Sequence, residues 1–212
     1  MRRKQTGGDV VEIIRSHKLA WVPARKVGTT SIRAAFRGLA SGPTDLSLTA
    51  DRPMSPDIRW RARACWRFAV VRDPAERFLS AFYNRIHQHG DMHATVAHRA
   101  ATRALGLDPK PEIDEFIDRF RTYYWANDIL RRHVRPQVAY LGRDLGWYHA
   151  LYPLGELDRL ASDLSDRTGQ TVVIPRLHRS QPVTTVDDLP SATRAKLEAL
   201  IAEDRRALAS VL

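Results

Sequence analysis

The sequence predicts an α/β domain in which a central, mostly parallel sheet of about four or five strands is flanked by helices. One plan occurs twice along the chain: a short apolar run is followed by a sharp polar loop and then by an amphipathic helix. Short strands that alternate with helices are typical of a parallel sheet with crossover connections. The length of 212 residues suits one domain, so residues 1–212 are expected to form a single domain.

The first copy of this plan begins with the apolar run 19–23, which is expected to be a buried strand because charged residues bound it. A polar loop with one glycine, residues 25–31, follows the run. Apolar side chains then recur at helical spacing over residues 32–39, which predicts a helix that ends at Gly38 or Gly42.

The second copy begins with the apolar run 66–71, a second predicted buried strand. The helix after it carries three start signals. Asp73 is a favourable N-cap, Pro74 suits the first helical position, and Glu76 completes a capping box. Apolar residues recur at helical spacing over residues 78–86, so the helix is expected to pack one face against a core.

The rest of the chain is predicted to be more helical. Further helices are predicted over residues 93–105, 111–123, 125–133, 154–168 and 190–211, short strands over 137–141, 149–151 and 171–174, and a surface loop over 42–57.

Charge is distributed unevenly along the chain. Residues 1–85 hold 17 basic and 7 acidic side chains, whereas residues 86–212 hold 17 of each, so the net charge of +10 belongs to the first part. Such an asymmetry predicts an anionic partner, such as a nucleotide, a nucleic acid, an acidic polymer or a membrane surface. The alternative is an arginine-rich genome, because 29 of the 34 basic residues are arginine. The composition excludes a disordered chain, a collagenous repeat and a small disulfide-rich scaffold.

The single cysteine and the hydropathy pattern predict where the protein is found. Cys65 cannot form an internal disulfide and is expected to be a small buried residue. No stretch reaches 18 uncharged apolar residues, so no transmembrane segment is expected. We therefore expect a soluble protein of a reducing compartment, the cytoplasm.

Both polar loops are suited to binding phosphate. A strand that leads through a glycine turn into a helix directs backbone N–H groups and the positive end of the helix dipole at one point. Lys26 adds an ammonium group there, and no Walker A pattern is present. In the second copy, Arg72 follows the strand and Ser80 lies about two helical turns further on, which suits a second phosphate. The alternatives are an ordinary capped helix and an arginine paired with a carboxylate.

These segments resemble motifs of one enzyme family. Residues 26–31, KVGTTS, resemble the 5′-phosphosulfate loop of sulfotransferases, and residues 72–82, RDPAERFLSAF, resemble their 3′-phosphate motif. Residues 133–137, HVRPQ, are similar to the H-x-x-P-Q element of the carbohydrate sulfotransferase branch. The resemblance covers most of residues 18–210 and implies a P-loop-like, three-layer domain.

The resemblance implies transfer of a sulfuryl group from 3′-phosphoadenosine 5′-phosphosulfate (PAPS) to an acceptor hydroxyl, with 3′-phosphoadenosine 5′-phosphate (PAP) as product and no metal required. The implied 5′-phosphosulfate ligands are Lys26, Gly28, Thr29, Thr30 and Ser31. Lys26 would also offset charge on the leaving oxygen. Arg72 and Ser80 are the implied ligands of the 3′-phosphate.

The sequence departs from the family pattern at two places. Arg25 stands where a proline often precedes the loop lysine, and it is a candidate phosphate ligand. Residues 178–180, HRS, stand where an Asn-x-Ser pattern is expected, which leaves nucleotide contacts of Arg176, Arg179 and Ser180 open.

The general base for the acceptor is expected to be His133. One branch of the family uses a glutamate on the helix after the first loop, but here that helix carries Arg33 and Arg37 and no carboxylate. The H-x-x-P-Q branch uses its histidine, which corresponds to His133; the alternative is a histidine that caps a helix end. Gln137 is expected either to orient substrate or to pair within its strand.

Other polar and aromatic residues are candidates for the acceptor site. Histidines 87, 89, 93 and 98 are expected to form an exposed rim rather than a metal site, and His87 is a candidate acceptor contact. Asp128 is placed to assist His133, and the aromatic residues 123–125 suit either a core or stacking on a sugar. A carbohydrate, a glycolipid or a small hydroxylated metabolite would suit as acceptor, and the sequence does not predict the oligomeric state.

Two other functions are compatible with parts of the sequence. A nucleotide-dependent kinase would share a phosphate-binding loop, but the Walker A pattern is missing. A non-catalytic nucleic-acid-binding protein would share the positive charge, but it leaves the motif at residues 72–82 unexplained. No nucleic-acid partner is therefore expected.

Overall fold

A computed structural model of the chain describes residues 10–49, 55–175 and 184–212. The chain divides into two compact units, each discontinuous in sequence. Of the described residues, the sheet unit comprises 10–49, 55–72, 137–175 and 207–212, and the helical unit comprises 73–136 and 184–206. The single domain over residues 1–212 stays a prediction.

The described residues form five strands and ten α-helices. The strands are β1 Val11–Ile14, β2 Leu19–Trp21, β3 Leu46–Thr49, β4 Trp66–Val71 and β5 Ala150–Pro153. The helices are α1 Thr29–Gly38, α2 Pro56–Arg61, α3 Pro74–Phe82, α4 Val96–Ala104, α5 Ile113–Asp118, α6 Phe120–Ala126, α7 Asp128–Val134, α8 Val138–Leu141, α9 Leu157–Thr168 and α10 Ser191–Leu208. Within this part of the chain no helix is long and apolar enough to cross a membrane.

The sheet unit contains one five-stranded sheet in the order β3-β1-β2-β4-β5. β4 pairs in parallel with β2 and with β5, whereas β1 pairs antiparallel with β2 and β3. The α/β class and the five-stranded sheet are therefore confirmed, and the sheet is mixed, with its parallel half at β2, β4 and β5. The carboxyl ends of these three strands lie at one edge, where open α/β sheets bind ligands.

Within the parallel half, β2 and most of β4 are buried on both faces, as a continuous apolar run predicts, whereas β5 is only partly buried. The last four residues of β4 are all buried, and so are all three of β2. The ring of Phe68 stacks on Trp66 at 5.1 Å and meets Tyr152 edge-on at 6.4 Å. This packing fixes the strand ends from which the candidate site is built.

The antiparallel half of the sheet departs from the sequence prediction. β1 lies outside every predicted strand, because Glu12 interrupts its apolar run and is nevertheless fully buried. β3 lies within the stretch 42–57, so the prediction of a loop there is wrong. The alternating pattern Leu-Ser-Leu-Thr in β3 is too short to predict a strand. The strand with which it pairs, β1, is not predicted from the sequence either.

Two further predicted strands are wrong. Residues 137–141 form the helical turn α8 with a preceding cap at Gln137, whose side chain bonds to a distant segment. Residues 171–174 have no regular secondary structure, and the N–H of Val172 donates to Ser165 Oγ at 2.9 Å instead of to a strand. The predicted strand 149–151 is confirmed as β5, which begins one residue later and ends two residues later.

The helical unit packs α3 to α7 and most of α10 around a second core rich in aromatic rings. The start signals of α3 are confirmed: Asp73 Oδ1 accepts from the N–H groups of Ala75 and Glu76 at 2.9 and 3.0 Å, and Pro74 is the first helical residue. The predicted helix 111–123 is two helices, α5 and α6, because the backbone leaves helical geometry at Arg119. A π-helical segment, Tyr83–Gln88, continues α3.

Candidate active site

The first polar loop has a backbone conformation that favours anion binding. Lys26 and Gly28 both have left-handed backbones, with φ of 66° and 75°. Val27 between them is fully buried, and Thr29 Oγ1 donates to the carbonyl of Ala24 at 2.6 Å, so the loop is tied to the core on both sides. Left-handed residues within a turn direct successive backbone N–H groups toward one point, which forms an anion-binding concavity.

The N-terminus of α1 adds to the positive potential of this loop. The first intrahelical bond runs from the N–H of Ile32 to the carbonyl of Gly28 at 3.1 Å, so the N–H groups of Thr29, Thr30 and Ser31 precede it. The first turn of α1 contains no acidic residue. Thr30 is exposed, whereas the side chain of Ser31 is buried. An anionic group is the favoured ligand at such a helix end.

Gly28 is the residue of the loop that tolerates substitution least. A Cβ atom at this position would lie 3.0 Å from Leu154 Cδ1, and the positive φ disfavours any residue with a Cβ. We expect Gly28→Ala to lower the free energy of unfolding by about 1–3 kcal/mol and to weaken anion binding at the loop. Urea titration of the variant measures the first effect.

Gly38 provides the matched control on the same helix. It is exposed, no atom lies within 4 Å of a Cβ built there, and its φ is not positive. Gly38→Ala is expected to leave stability unchanged or to raise it by about 0.5–1 kcal/mol, because alanine is the better helix residue. Equal losses in the two variants would contradict the role assigned to Gly28.

The end of β4 is held by a buried glutamine. Gln137 is fully buried; its Nε2 donates to the carbonyl of Arg72 at 2.8 Å, and its Oε1 accepts from the N–H of Arg72 at 3.0 Å. The amide thus replaces a strand partner for Arg72, whose side chain is partly exposed. A substrate contact of Gln137 stays a prediction, and the structure assigns its amide to the backbone of Arg72.

Part of the positive charge near the first loop is neutralised internally. Arg33 Nε donates to Glu12 Oε1 at 2.6 Å, and Arg37 donates to both carboxylate oxygens at 2.8 and 2.9 Å. Glu12 is fully buried in β1, whereas the two arginines are partly exposed on α1. These two cations are therefore structural and stabilise the packing of α1 on the sheet, while Arg25 and Lys26 lie half-exposed in the loop.

The helical unit contains the remaining candidates of the second motif. Ser80 lies on α3 and is half-buried. Arg77 of the same helix is fully buried and donates to the carbonyls of His133 and Arg135 at 3.1 and 2.7 Å. Asp204 of α10 lies 3.7 Å from the same guanidinium. The second arginine of the motif is thus a buried structural group in this unit.

His133 lies in the last turn of α7 and is half-buried. The helix begins at Asn127, whose Oδ1 accepts from the N–H groups of Ile129 and Leu130 at 2.9 Å each. The two oxygens of Asp128 bond to His98 Nε2 at 3.0 Å and to an Arg132 N–H at 2.6 Å. Asp128 thus pairs with His98 and Arg132, and its assistance to His133 stays a prediction.

The histidine rim is confirmed in part. Histidines 87, 89 and 93 are exposed, but His98 of α4 is buried, and its Nε2 bonds to Asp128. The ring of His87 contacts those of Phe82 and Tyr83 with centroids at 5.1 and 5.5 Å. Within residues 10–49, 55–175 and 184–212, no three His, Cys, Asp or Glu side chains could together hold a metal ion.

The helical unit also contains a cavity of about 310 Å³ that is open to solvent on one side. Its lining is mostly aromatic and aliphatic and includes three charged residues. The lining residues are Arg77, Phe78, Phe120, Arg121, Tyr124, Trp125, Val134, Pro136, Leu200, Ile201 and Asp204. Of the three aromatic residues 123–125, Tyr123 is fully buried, whereas Tyr124 and the 68% exposed Trp125 line the cavity. The cavity adjoins the segment that carries His133, because Val134 and Pro136 form part of its wall.

Two further predictions from the sequence concern Cys65 and residues 176–180. Cys65 is buried, as expected, and its burial raises the pKa of its thiol, which disfavours the nucleophilic thiolate. Arg176, Arg179 and Ser180 lie outside the residues that the structure describes.

The geometry and the sequence motifs agree with a comparison to known protein families. The chain matches the model of the Sulfotransferase family over residues 12–209, which include both loops, Arg77 and His133. No curated protein and no solved structure matches the chain. Because the match covers most of the chain, the protein belongs to the sulfotransferase family.

Proposed function

We propose that this sulfotransferase takes its sulfuryl group from PAPS and transfers it in line to an acceptor hydroxyl. The observation that carries the proposal is the loop with left-handed Lys26 and Gly28, at the start of α1 and at the carboxyl edge of the parallel strands. The acceptor oxygen would form a bond to sulfur, the bond from sulfur to the bridging phosphate oxygen would break, and PAP would leave. His133 would accept the proton of the acceptor hydroxyl.

Lys26 is proposed to act on the leaving oxygen. A non-glycine residue with positive φ is uncommon and costs about 1–2 kcal/mol relative to a right-handed backbone. Such strain persists at functional sites because the surrounding structure fixes it, here through buried Val27 and the Thr29 bond to Ala24. The ammonium would stabilise the charge that develops on the bridging oxygen as the bond to sulfur breaks.

Arg72 and Ser80 are proposed to bind the 3′-phosphate, the group that distinguishes PAPS from ATP-like nucleotides. The support is their place in the second motif and the double hydrogen bond by which Gln137 fixes the Arg72 backbone. A guanidinium binds a phosphate through charge-assisted hydrogen bonds. Gln137 would then act on the nucleotide only by holding Arg72 in place.

Replacing Arg72 by alanine is expected to weaken PAP binding by about 10- to 100-fold, the loss for hydrogen bonds to a charged group, and to leave ADP binding nearly unchanged. Isothermal titration calorimetry with the two nucleotides measures the ratio. Arg61→Ala is the control, since Arg61 forms an exposed pair with Asp57 on α2. Parallel losses for PAP and ADP would show that Arg72 does not recognise the 3′-phosphate.

The acceptor is proposed to be a carbohydrate. The cavity of about 310 Å³ lies at the lower end of the usual size of ligand pockets, which suits a single ring. Tyr124 and Trp125 offer faces for the apolar side of a sugar ring, and Arg121 offers hydrogen bonds to its hydroxyls. A glycolipid or a small hydroxylated metabolite would present the same groups.

Transfer of sulfur-35 from labelled PAPS to a panel of mono- and oligosaccharides, glycolipids and small alcohols tests the proposal. Labelled sulfate esters are expected on at least one carbohydrate, with PAP released in equal amount. Transfer of phosphate from ATP to the same acceptors would support a kinase instead. Absence of transfer together with tight, salt-dependent binding of DNA or RNA would contradict the enzymatic proposal.

A further inference from the structure

Arg77 is a buried cation with a defined set of partners inside the helical unit. Its side chain is 1% exposed, and burial of a guanidinium is unfavourable unless its N–H groups are bonded and its charge is paired. One terminal nitrogen donates to the carbonyl of His133 at 3.1 Å and the other to the carbonyl of Arg135 at 2.7 Å. Asp204, 2% exposed, provides the countercharge at 3.7 Å.

These two carbonyls lie where the chain leaves α7. The last carbonyls of a helix have no partner within the helix and need one from elsewhere. α7 ends at Val134, and Arg135 already has an extended backbone with φ −60° and ψ 153°. The guanidinium of Arg77 therefore bonds to the chain on both sides of the helix end. It also places a positive charge at the negative end of the α7 dipole, which is favourable.

The countercharge is itself held by the final helix. Asp204 belongs to α10, and its neighbour Arg205 pairs with Asp73, the N-cap of α3. Arg205 also binds Glu198 of α10 at 3.0 Å. α10 thus contacts α3 through two ion pairs, Arg205 with Asp73 and Asp204 with Arg77. Together with the carbonyls of His133 and Arg135, these pairs fix the direction of the Arg77 side chain.

We infer that Arg77 is a positioning residue for proton transfer: it holds the His133–Arg135 backbone so that the His133 imidazole keeps the orientation needed by the acceptor hydroxyl. This inference rests on the proposed role of His133 as base. Arg77 borders the cavity proposed for the acceptor, but it is 1% exposed and its terminal nitrogens bond to the carbonyls of His133 and Arg135. Its proposed action is therefore through His133. Misplacement of a catalytic group by about 1 Å can lower a rate about 100-fold.

Arg77→Lys tests the inference because lysine keeps the charge but cannot present two parallel N–H donors in a fixed fork. In the otherwise unchanged enzyme we expect kcat to fall about 10- to 100-fold, with KM for PAPS within about threefold. In the His133→Ala background the same change is expected to alter kcat by less than about twofold, because the residue through which it acts is gone.

A readout without nucleotide or turnover accompanies the kinetics. The imidazole resonances of His133, assigned by their loss in His133→Ala, are expected to shift in Arg77→Lys protein free of nucleotide, while those of His87 stay in place. Arg119→Lys is the matched control: Arg119 also donates to two consecutive carbonyls, those of Leu105 and Gly106, and lies near Glu115 of its own helix. It should leave both kcat and the His133 resonances unchanged.

Asp204→Asn provides a second variant in case Arg77→Lys does not fold. It keeps both hydrogen bonds of Arg77 and removes only the countercharge, so a smaller loss of kcat with the same dependence on His133 is expected. An equal effect of Arg77→Lys in both backgrounds, or unshifted His133 resonances, would overturn the inference. Full kcat in His133→Ala would overturn the proposed base and the inference with it, and the resonance shift would still show whether Arg77 holds the segment.

Discussion

Replacing Lys26 by alanine is expected to lower kcat for sulfuryl transfer by about 100- to 1,000-fold, the range for loss of one charge-stabilising group in a transition state. The ammonium is expected to act mainly when negative charge develops on the leaving oxygen. PAP binding should therefore fall by much less than the rate. Single-turnover measurement with labelled PAPS, alongside calorimetry with PAP, separates the two effects.

Lys18 is a matched control for this variant. It is the other non-glycine residue with positive φ among those described, at 50°, and it lies exposed in the turn between β1 and β2. Lys18→Ala therefore changes the same residue type in a similar backbone, without the proposed contact to the donor. It should keep full activity, and a rate in Lys26→Ala within about threefold of that control would contradict the role of Lys26.

The second large effect concerns the stability of the sheet unit. The double variant Arg33→Met, Arg37→Met is expected to lower the free energy of unfolding by about 3–5 kcal/mol, because it leaves the carboxylate of Glu12 buried without a cation. Methionine retains much of the packing of the arginine stems. Urea titration measures the loss, and the thermal midpoint should fall by roughly 6–20 °C.

Two further variants make this stability prediction specific. Adding Glu12→Gln to the double variant is expected to restore much of the lost free energy of unfolding, because the unpaired buried carboxylate is then replaced by a neutral amide. Arg59→Met, Arg61→Met is the control on α2, where both arginines form exposed ion pairs that contribute about 0–1 kcal/mol each. An equal loss in control and test variants would show that the Glu12 ion pairs are not the cause.

The parts of the fold that the sequence predicts are those with local signals. β4 matches the apolar run 66–71, and α3 begins where Asp73 and Pro74 place it. β1 could not be predicted in this way, because Glu12 is compatible with a buried strand only through arginines 21 and 25 residues further along. The strand predicted over residues 137–141 is wrong for a similar reason. The side chain of Gln137 bonds to Arg72, 65 residues earlier in the chain, and local sequence does not show this contact.

The candidate site shows the same division between local and distant information. The glycine, the lysine and the hydroxyl residues of the first loop are visible as a motif, and so are Arg72 and Ser80. The motif does not show that Lys26 has a left-handed backbone, or that Arg77 bonds to carbonyls 56 and 58 residues away. Such roles depend on tertiary contacts, for which sequence spacing contains no signal.

The most direct test of the central claim, that this sulfotransferase uses PAPS, is calorimetric titration with PAP, ADP and ATP in parallel. We predict micromolar binding of PAP that weakens by at least about tenfold, or 1.4 kcal/mol, when the 3′-phosphate is absent. Binding of ATP equal to or tighter than that of PAP would contradict the proposed donor, as would the absence of binding to all three nucleotides.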